Sequence, residues 1–275
     1  MTDSQSLERS RLALLAFAAV VVLAIGWFGA TSSGAYDPYN LGSEGTSELR
    51  QALEGDPDRE YAAVGSYDAL EIDDAAIVVL DAESDEETAD GAASFVREGG
   101  TLIVLADDPA ANEFLASVGA ETRLEDGTLR DDRHHHRGPA MPISTETADH
   151  ELTAGVDRLG LDRATALEPN GATVLATTSD SSYLADGPDA SRGEDDVLGP
   201  RPVATVENVG EGTAIVVGDA TIATNGGLER EDNAALLANG YGDADRIAVF
   251  APEFDGPPPL SSIGSSAGDR LGFPP

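Results

Sequence analysis

The sequence predicts an α/β domain with a parallel β-sheet flanked by helices, preceded by one transmembrane helix. Residues 75–80 and 101–106 are short apolar runs, as is typical of strands that are buried on both faces of a sheet. Residues 86–97, between them, have the apolar spacing of a helix, which completes a β-strand, α-helix, β-strand unit. Residues 12–30 form an uncharged apolar segment long enough to cross a bilayer.

The composition is strongly acidic. Of the 275 residues, 51 are Asp or Glu and 16 are basic, all of them Arg, so the formal net charge is −35. At molar salt the Debye length falls to about 3 Å, and a surface of this charge stops repelling itself. We therefore expect a protein from an extreme halophile. The acidic residues are spread along the chain and no basic patch is visible, so nucleic-acid binding is not expected.

The apolar segment from Leu12 to Ala30 is predicted to anchor the chain, with the cytoplasmic membrane as its partner. As a helix it would span about 28 Å. Arg9 and Arg11 precede it and the first charge after it is Asp37, so the positive-inside rule places residues 1–11 in the cytoplasm. The expected location is the cell membrane, single-pass, with the main domain extracytoplasmic. A cleaved signal peptide is the alternative.

The elements of the domain follow a short polar tether at residues 31–42. Predicted helices cover residues 43–54, 86–97, 109–118 and 232–239. Predicted strands cover residues 61–64, 75–80, 101–106, 173–177, 202–206, 213–217 and 247–250. Residues 123–141 are polar and are expected to form an exposed excursion. The α/β domain is expected to cover residues 43–251, followed by a flexible tail rich in Pro, Gly and Ser at residues 252–275.

An ordered series of short motifs in this domain resembles a known family. The motifs are Tyr39-Asn40, Gly45-Thr46-Ser47, the block ending in Gly99-Gly100-Thr101-Leu102-Ile103-Val104-Leu105, the run from His150 to Val156, the run from Gly212 to Asp219, Asn225, and Asp232-Asn233. They look like those of haloarchaeal membrane proteins of the domain-of-unknown-function family DUF4350. The resemblance implies a three-layer parallel sheet like that of class I glutamine amidotransferases. It also implies a protein complex at the cell envelope as a partner.

The position that would hold the catalytic Cys of an amidotransferase has no nucleophile. Active members of that class present a Cys at the sharp turn after the strand that corresponds to residues 101–105. Here the turn is Ala106-Asp107-Asp108, and the chain contains no Cys. No catalytic residues are assigned, and an enzyme is not expected.

Three of the four His residues stand in the run Arg133-His134-His135-His136-Arg137. Imidazoles are good metal ligands, but consecutive side chains rarely converge on one ion, and the flanking Arg residues would repel a cation. We expect an exposed loop, no metal site and no cofactor. His150 is expected to cap or pack within its own turn rather than to act in acid–base chemistry.

The candidate ligand-binding residues follow from the fold. Parallel α/β sheets bind ligands at the carboxyl ends of their strands. This predicts a site at Asp107 and Asp108 after one strand and at Asp219 after another. Three amides are expected nearby: Asn40, Asn225 and Asn233. The alternative is that these six side chains only cap helices and stabilise turns.

The sequence favours a non-catalytic binding or scaffold domain at the cell envelope, which recognises a sugar, a peptide or a partner protein. One alternative is a hydrolase that uses Asp107, Asp108 or Asp219, with or without a divalent ion. The other alternative is a purely structural subunit of a membrane complex. Two of these carboxylates within about 5 Å of each other in a closed pocket, with a raised pKa, would favour the hydrolase.

Overall fold

One mixed β-sheet of eight strands forms the centre of the protein. The computed structural model describes residues 16–17, 19–21, 32–64, 75–80, 86–187, 189–193 and 196–250. Five parallel strands come first in the sheet: β1 (Glu60–Val64), β12 (Arg246–Phe250), β2 (Ala75–Leu80), β3 (Thr101–Leu105) and β11 (Gly212–Val217). Three antiparallel strands extend it beyond β11: β10 (Pro202–Val209), β8 (Thr173–Thr177) and β6 (Glu146–Thr147).

Helices and small strand pairs complete the described fold. The helices are α1 (Ser47–Glu54), α2 (Glu86–Arg97), α3 (Ala111–Val118), α4 (Asn225–Leu228) and α5 (Asn233–Tyr241). Two 3-10 turns cover Glu151–Thr153 and Ala220–Ala223. The strands β4 (Arg123–Leu124) and β7 (Leu167–Glu168) form one antiparallel pair, and β5 (Thr128–Asp131) and β9 (Ser182–Ala185) form another.

The central strands are buried on both faces, as their apolar sequences predict. In β3, Leu102 and Val104 face the cluster that includes α2 and α3, whereas Ile103 and Leu105 face the cluster that includes α1 and α5. β11 and β12 alternate in the same way, because side chains in a strand point to opposite faces in turn. The predicted unit of β2, α2 and β3 is confirmed, with β2 and β3 adjacent and parallel.

The predicted three-layer parallel sheet, like that of class I glutamine amidotransferases, is wrong. The sheet is mixed because three of its eight strands run antiparallel to their neighbours, and much of the described domain consists of strands with few helices. The physical reason lies at the turn between β10 and β11. Only Gly210 and Glu211 separate these strands, whereas a parallel crossover needs about a dozen residues. Gly210 has a φ of 65°, which suits a tight hairpin turn.

The prediction that residues 123–141 form an exposed excursion is confirmed for residues 132–137, most of which are exposed, but it is wrong for the strands before them. Leu124 and Leu129 are buried, in β4 and β5 respectively. These strands pair with segments more than forty residues away in the chain, and local composition gives no sign of such pairing.

Asp131, in the same segment, is a fully buried carboxylate. Burial by itself would raise its pKa. Hydrogen bonds from the Ser179 hydroxyl, from the backbone N–H groups of His134 and Arg133, and from the Ser182 hydroxyl nevertheless hold this pKa below its ordinary value. Asp131 therefore stabilises the fold as a charged acceptor.

The described part of the chain contains no helix that is both long enough and apolar enough to cross a membrane. The structure therefore does not support the predicted transmembrane helix at residues 12–30, nor the single-pass topology, the membrane partner and the location in the cell membrane that were predicted from it. Most of residues 12–30, all of residues 1–11 and the predicted tail lie outside the described residues. The segment predicted as a tether is folded from Ser32 onward, and Asn40 within it is buried.

Substitution of Gly212 by Ala is expected to destabilise the fold. A Cβ atom at Gly212 would meet the backbone carbonyl oxygens of Val96 and Gly100, which cannot move aside as a flexible side chain can. We expect the free energy of unfolding to fall by about 2 kcal/mol, measured by denaturant titration in molar KCl. The control is Gly138→Ala, where the new Cβ meets nothing within 4 Å. Equal stability of the two variants would contradict the close approach at Gly212.

Candidate functional site

A cavity of about 180 Å³ lies beyond the carboxyl end of β11. Three chain segments that are distant in sequence form its walls: a loop at residues 35–44, a loop at residues 162–163, and residues 221–230 after β11. Ala35, Ser43, Glu44 and Arg163 are exposed and form the mouth. The deeper wall includes Arg230.

A larger open depression of about 750 Å³ lies at the opposite edge of the sheet, where β3 and β11 begin. Two of its polar side chains, His150 and Asn239, have structural partners. His150 accepts a hydrogen bond at Nδ1 from the backbone N–H of Leu152, which confirms that it caps its turn. Asn239 donates to the backbone carbonyls of Leu152 and Ala154. We therefore place the candidate site at the smaller cavity. Two of its lining residues, Arg230 and Thr221, each have a buried polar atom without a hydrogen-bond partner among the described residues.

Arg230 is the central charged group of the cavity. Its Nη2 atom donates to Oδ2 of Asp162 at 3.0 Å, and Nε of Arg163 lies 3.6 Å from the other oxygen of the same carboxylate. The side chain of Arg230 is only 16% exposed. Its Nη1 atom is buried and has no hydrogen-bond partner among the described residues. A buried donor without a partner costs about 1–3 kcal/mol, and more when the group is charged.

Asp219 lies directly behind the cavity and is fully buried. Its Oδ2 atom accepts from the backbone N–H of Asp162 at 2.8 Å, and its Oδ1 atom accepts from the backbone N–H of Thr221 at 2.7 Å. Both donors belong to residues of the cavity wall. Asp219 therefore joins the wall at residue 162 to the wall at residue 221.

Burial raises the pKa of Asp219 to about 6. The Thr221 hydroxyl and the two backbone N–H groups favour the charged form and limit the rise, whereas the negative charge of Asp162 adds to it. The Thr221 hydroxyl lies beside this carboxylate and is buried, with no other hydrogen-bond partner among the described residues. Among those residues, Arg230 is the other lining residue that has a buried polar atom without a partner.

Asn225 joins the loop at residues 35–44 to the segment at residues 221–230. Its Oδ1 atom accepts from the backbone N–H of Glu48 at 2.8 Å. Its Nδ2 atom donates to the backbone carbonyls of Asn40 and Gly42 and to the Ser47 hydroxyl, at 3.1, 2.7 and 3.1 Å. The side chain of Asn225 therefore attaches the loop at residues 35–44 to α4, together with the backbone hydrogen bond from the Gly226 N–H to the Ser43 carbonyl.

Asn233 joins the chain next to the loop at residues 162–163 to the segment at residues 221–230 in a similar way. Its Oδ1 atom accepts from the backbone N–H of Gly160, and its Nδ2 atom donates to the carbonyls of Gly160 and Gly227. The side chain is fully buried. Together, Asp219, Asn225 and Asn233 connect the three segments that surround the cavity.

The other three predicted ligand-binding residues do not join the walls of the cavity through their side chains. Asn40 bonds within its own loop, donating to the Gly34 carbonyl and accepting from the Gly42 N–H. Asp108 is exposed and accepts from the backbone N–H of Ala110, and Asp107 is half-buried. None of the six predicted residues belongs to the cavity lining, and their role in ligand binding stays a prediction.

Sequence reasoning missed the lining residues Asp162, Arg163, Thr221 and Arg230. One signal was available for Arg230. It is a basic residue inside the acidic run at residues 229–232, in a chain with only 16 basic residues. The other three are ordinary loop residues in sequence, and only the folded chain brings them together.

Backbone strain is concentrated at the same place. Among the described residues, four that are not glycine have a positive φ, and three of them line or adjoin the cavity: Tyr36 at 57°, Arg163 at 55° and Glu231 at 33°. Such conformations cost about 1–3 kcal/mol each and tend to occur at functional sites.

The described residues include no group of three or more His, Asp or Glu side chains placed to hold a metal ion. In the His run, Nδ1 of His134 lies 3.7 Å from Asp131, and Nδ1 of His136 lies 3.7 Å from Glu231. Nδ1 of His135 is buried without a partner. The three imidazoles therefore have separate surroundings.

The raised pKa of Asp219 predicts a pH-dependent stability. Because the folded chain holds this proton more tightly than the unfolded chain, protonation of Asp219 stabilises the fold as the pH falls from about 6 to about 4. A rise of about two pKa units corresponds to about 3 kcal/mol. We expect the difference in unfolding free energy between the wild type and Asp219→Asn to shift by this amount, in favour of the wild type, between about pH 7 and about pH 4.

The matched control for this experiment is Asp232→Asn. Asp232 also accepts from two backbone N–H groups, those of Asp157 and Arg158, but it is not fully buried. This variant should keep the pH dependence of the wild type. A wild type that loses stability relative to Asp219→Asn on acidification would show that the pKa of Asp219 is lowered instead.

Several solved structures share partial similarity with the chain. The mmIFT52 N-terminal domain is 12% identical with a TM-score of 0.46, covering 70% of this chain and 86% of that chain. A cytoplasmic protein from Salmonella typhimurium LT2 is 12% identical with a TM-score of 0.48, covering 78% and 94%. A β-galactosidase from Rahnella sp. R3 is 16% identical with a TM-score of 0.38, covering 62% and 22%, so the chain spans less than a quarter of that enzyme.

The family comparison gives a direct result. No curated protein matches the chain. Residues 38–239 match the family described as "Domain of unknown function (DUF4350)". This match covers well over half of the chain and confirms the resemblance stated from the sequence motifs. The chain belongs to the DUF4350 family.

Proposed function

We propose that the chain is a non-catalytic binding or scaffold domain that receives its ligand in the cavity beyond β11. The observation that supports this proposal is the pairing of Arg230 with Asp162 in the cavity lining, which places a donor group beside an acceptor group. The strained backbone at Tyr36 and Arg163, both in the cavity lining, gives the proposal further support.

The arrangement of the carboxylates supports binding rather than hydrolysis. A catalytic carboxylate has to reach the proton or atom on which it acts. Asp219 has the raised pKa of a catalytic acid, but it is fully buried and both of its oxygens accept backbone hydrogen bonds. Asp108 is exposed, and its Oδ1 atom accepts a hydrogen bond from the backbone N–H of Ala110. Neither carboxylate is available to a substrate in the cavity.

The conservative substitution Arg230→Lys tests the proposal without knowledge of the ligand. Lys keeps the positive charge beside Asp162 but removes the nitrogen that has no partner. We expect the unliganded variant to be as stable as the wild type or more stable by about 1 kcal/mol, because the buried orphan donor is gone. Thermal and denaturant unfolding in molar KCl measure this difference. A purely structural Arg230 would instead make the variant clearly less stable.

Arg246→Lys is the matched control. Nε of Arg246 pairs with Glu60 at 3.4 Å at the start of β12, on the opposite edge of the sheet from the cavity. A small change within about 0.5 kcal/mol is expected there. Enzymatic activity is tested separately on the purified chain. Release of ammonia from glutamine, abolished by substitution of Asp107 or Asp108, would refute the proposal of a non-catalytic domain.

A further inference from the structure

We propose that Asn170 is a site of spontaneous covalent modification, at which the side-chain amide is converted into a carboxyl group. The sequence contains three Asn-Gly steps, at Asn170, Asn225 and Asn239. An Asn followed by Gly is well suited to this reaction, because Gly has no Cβ atom to hinder ring closure. The fold protects two of these steps and leaves the step at Asn170 open. The reaction needs no ligand in the cavity beyond β11.

The reaction uses water as its only co-reactant. First, the backbone nitrogen of Gly171 attacks Cγ of Asn170, the bond from Cγ to Nδ2 breaks, and Nδ2 leaves as ammonia with the proton given up by the Gly171 nitrogen. A cyclic imide remains. Water then adds to one of its two carbonyl carbons, and the bond from that carbon to the ring nitrogen breaks, which gives Asp or isoaspartate. The attacking group is therefore a backbone N–H, and a hydrogen bond from that N–H slows the reaction.

This backbone N–H is hydrogen-bonded at two of the three steps. The Gly226 N–H donates to the Ser43 carbonyl at 2.9 Å. Gly240 lies inside α5, where backbone N–H groups donate to the carbonyls of the preceding turn. The Gly171 N–H donates to none of the residues that the structure describes, and Gly171 is exposed. Gly171 is therefore the glycine whose nitrogen is available for attack.

The side-chain amide is held in place at the same two steps. Asn225 is buried, and both ends of its amide are hydrogen-bonded. Nδ2 of Asn239 donates to two backbone carbonyls, at 3.1 and 2.9 Å. Asn170 is exposed, and its Nδ2 atom forms long hydrogen bonds, at 3.2 Å to the Glu121 carbonyl and 3.4 Å to the Glu168 carbonyl. The amide of Asn170 is consequently the one that can rotate towards the next nitrogen.

Asn170 also lies in a turn that can rearrange at low cost. The turn connects β7 to β8, and the Ala172 N–H closes it by donating to the Pro169 carbonyl at 2.9 Å. Its two central residues, Asn170 and Gly171, have φ values of 49° and 124°. Positive φ at both central positions is typical of a type I′ turn. Rotation of the Asn170 backbone opens this short turn, whereas the same rotation at either of the other two steps would break a helix.

The product alters the contacts of this turn. Nδ2 of Asn170 connects the turn to the backbone of Glu121, just before β4, and a carboxylate cannot donate to a carbonyl. The side chain of Glu121 lies next to Gly171, since a Cβ atom there would be 2.5 Å from Oε2 of Glu121. Conversion therefore removes two hydrogen bonds and adds a negative charge close to an existing one. The modified chain is less stable for both reasons.

Peptide mapping of the full chain by mass spectrometry measures the conversion at each step. The protein is incubated in molar KCl at neutral and at alkaline pH, and the mass change from amide to carboxyl is followed with time. We expect Asn170 to convert at least about tenfold faster than Asn225 or Asn239 in the folded chain. The rate should rise with pH, because the Gly171 nitrogen attacks after it has lost its proton.

The matched control is the same incubation in concentrated guanidinium chloride, where the fold no longer protects any step. The three rates should then become similar, because all three steps have the same Asn-Gly pair. The folded chain decides the outcome. Conversion of Asn170 at the slow rate of the two helical steps, or conversion of a helical step as fast as Asn170, would overturn the proposal.

The substitution Asn170→Asp reproduces one of the two products. We expect the Tm in molar KCl to fall by about 3 °C, because the hydrogen bonds to the Glu121 and Glu168 carbonyls are lost. The control is Asn208→Asp, which adds the same charge at an exposed position on β10 and should leave the Tm unchanged. Equal Tm values for the two variants would refute the predicted effect of the modification on the fold.

Discussion

The candidate site depends on three short polar side chains that each hold two separate pieces of backbone together. Asp219 binds the N–H groups of Asp162 and Thr221. Asn225 links the loop at residues 35–44 to the segment at residues 221–230, and Asn233 adds a second link between that segment and the chain next to Asp162. An Asp or Asn side chain is short and has few rotamers, so its bonds fix the distance between two loops closely. The sheet supplies a rigid edge, but these side chains determine how the loops meet above it. Loss of one would change the shape of the cavity without touching its lining.

The sequence predicted the central part of the fold well, because local patterns there follow from burial. β2, α2 and β8 have the predicted bounds, and the alternate burial of β3 on two faces follows from its unbroken apolar sequence. The predicted parallel arrangement was wrong for β10 and β8, which pair antiparallel. Direction depends on the connections between strands, and here the informative feature was the two-residue link at Gly210 and Glu211.

The candidate site was predicted only in part, for a similar reason. The rule that ligands bind at the carboxyl ends of strands led to Asp219 and, through nearby motifs, to Asn225 and Asn233. These residues stand behind the cavity wall and hold it together. The lining residues Asp162 and Arg230 are 68 positions apart and have no common local pattern. Their meeting depends on loop packing, which composition and periodicity do not encode.

The buried Arg230 also shows how an acidic chain can build a polar site. The chain has 51 acidic and 16 basic residues, so a buried guanidinium group readily meets an acidic partner. At the cavity, Asp162 accepts from Nη2 of Arg230, and Asp219 accepts from the backbone N–H of Asp162 on the buried side. Nη1 of Arg230 is buried without a partner among the described residues. One carboxylate thus pairs with the guanidinium group while a second fixes the backbone of the first, so two acidic residues together position one Arg side chain.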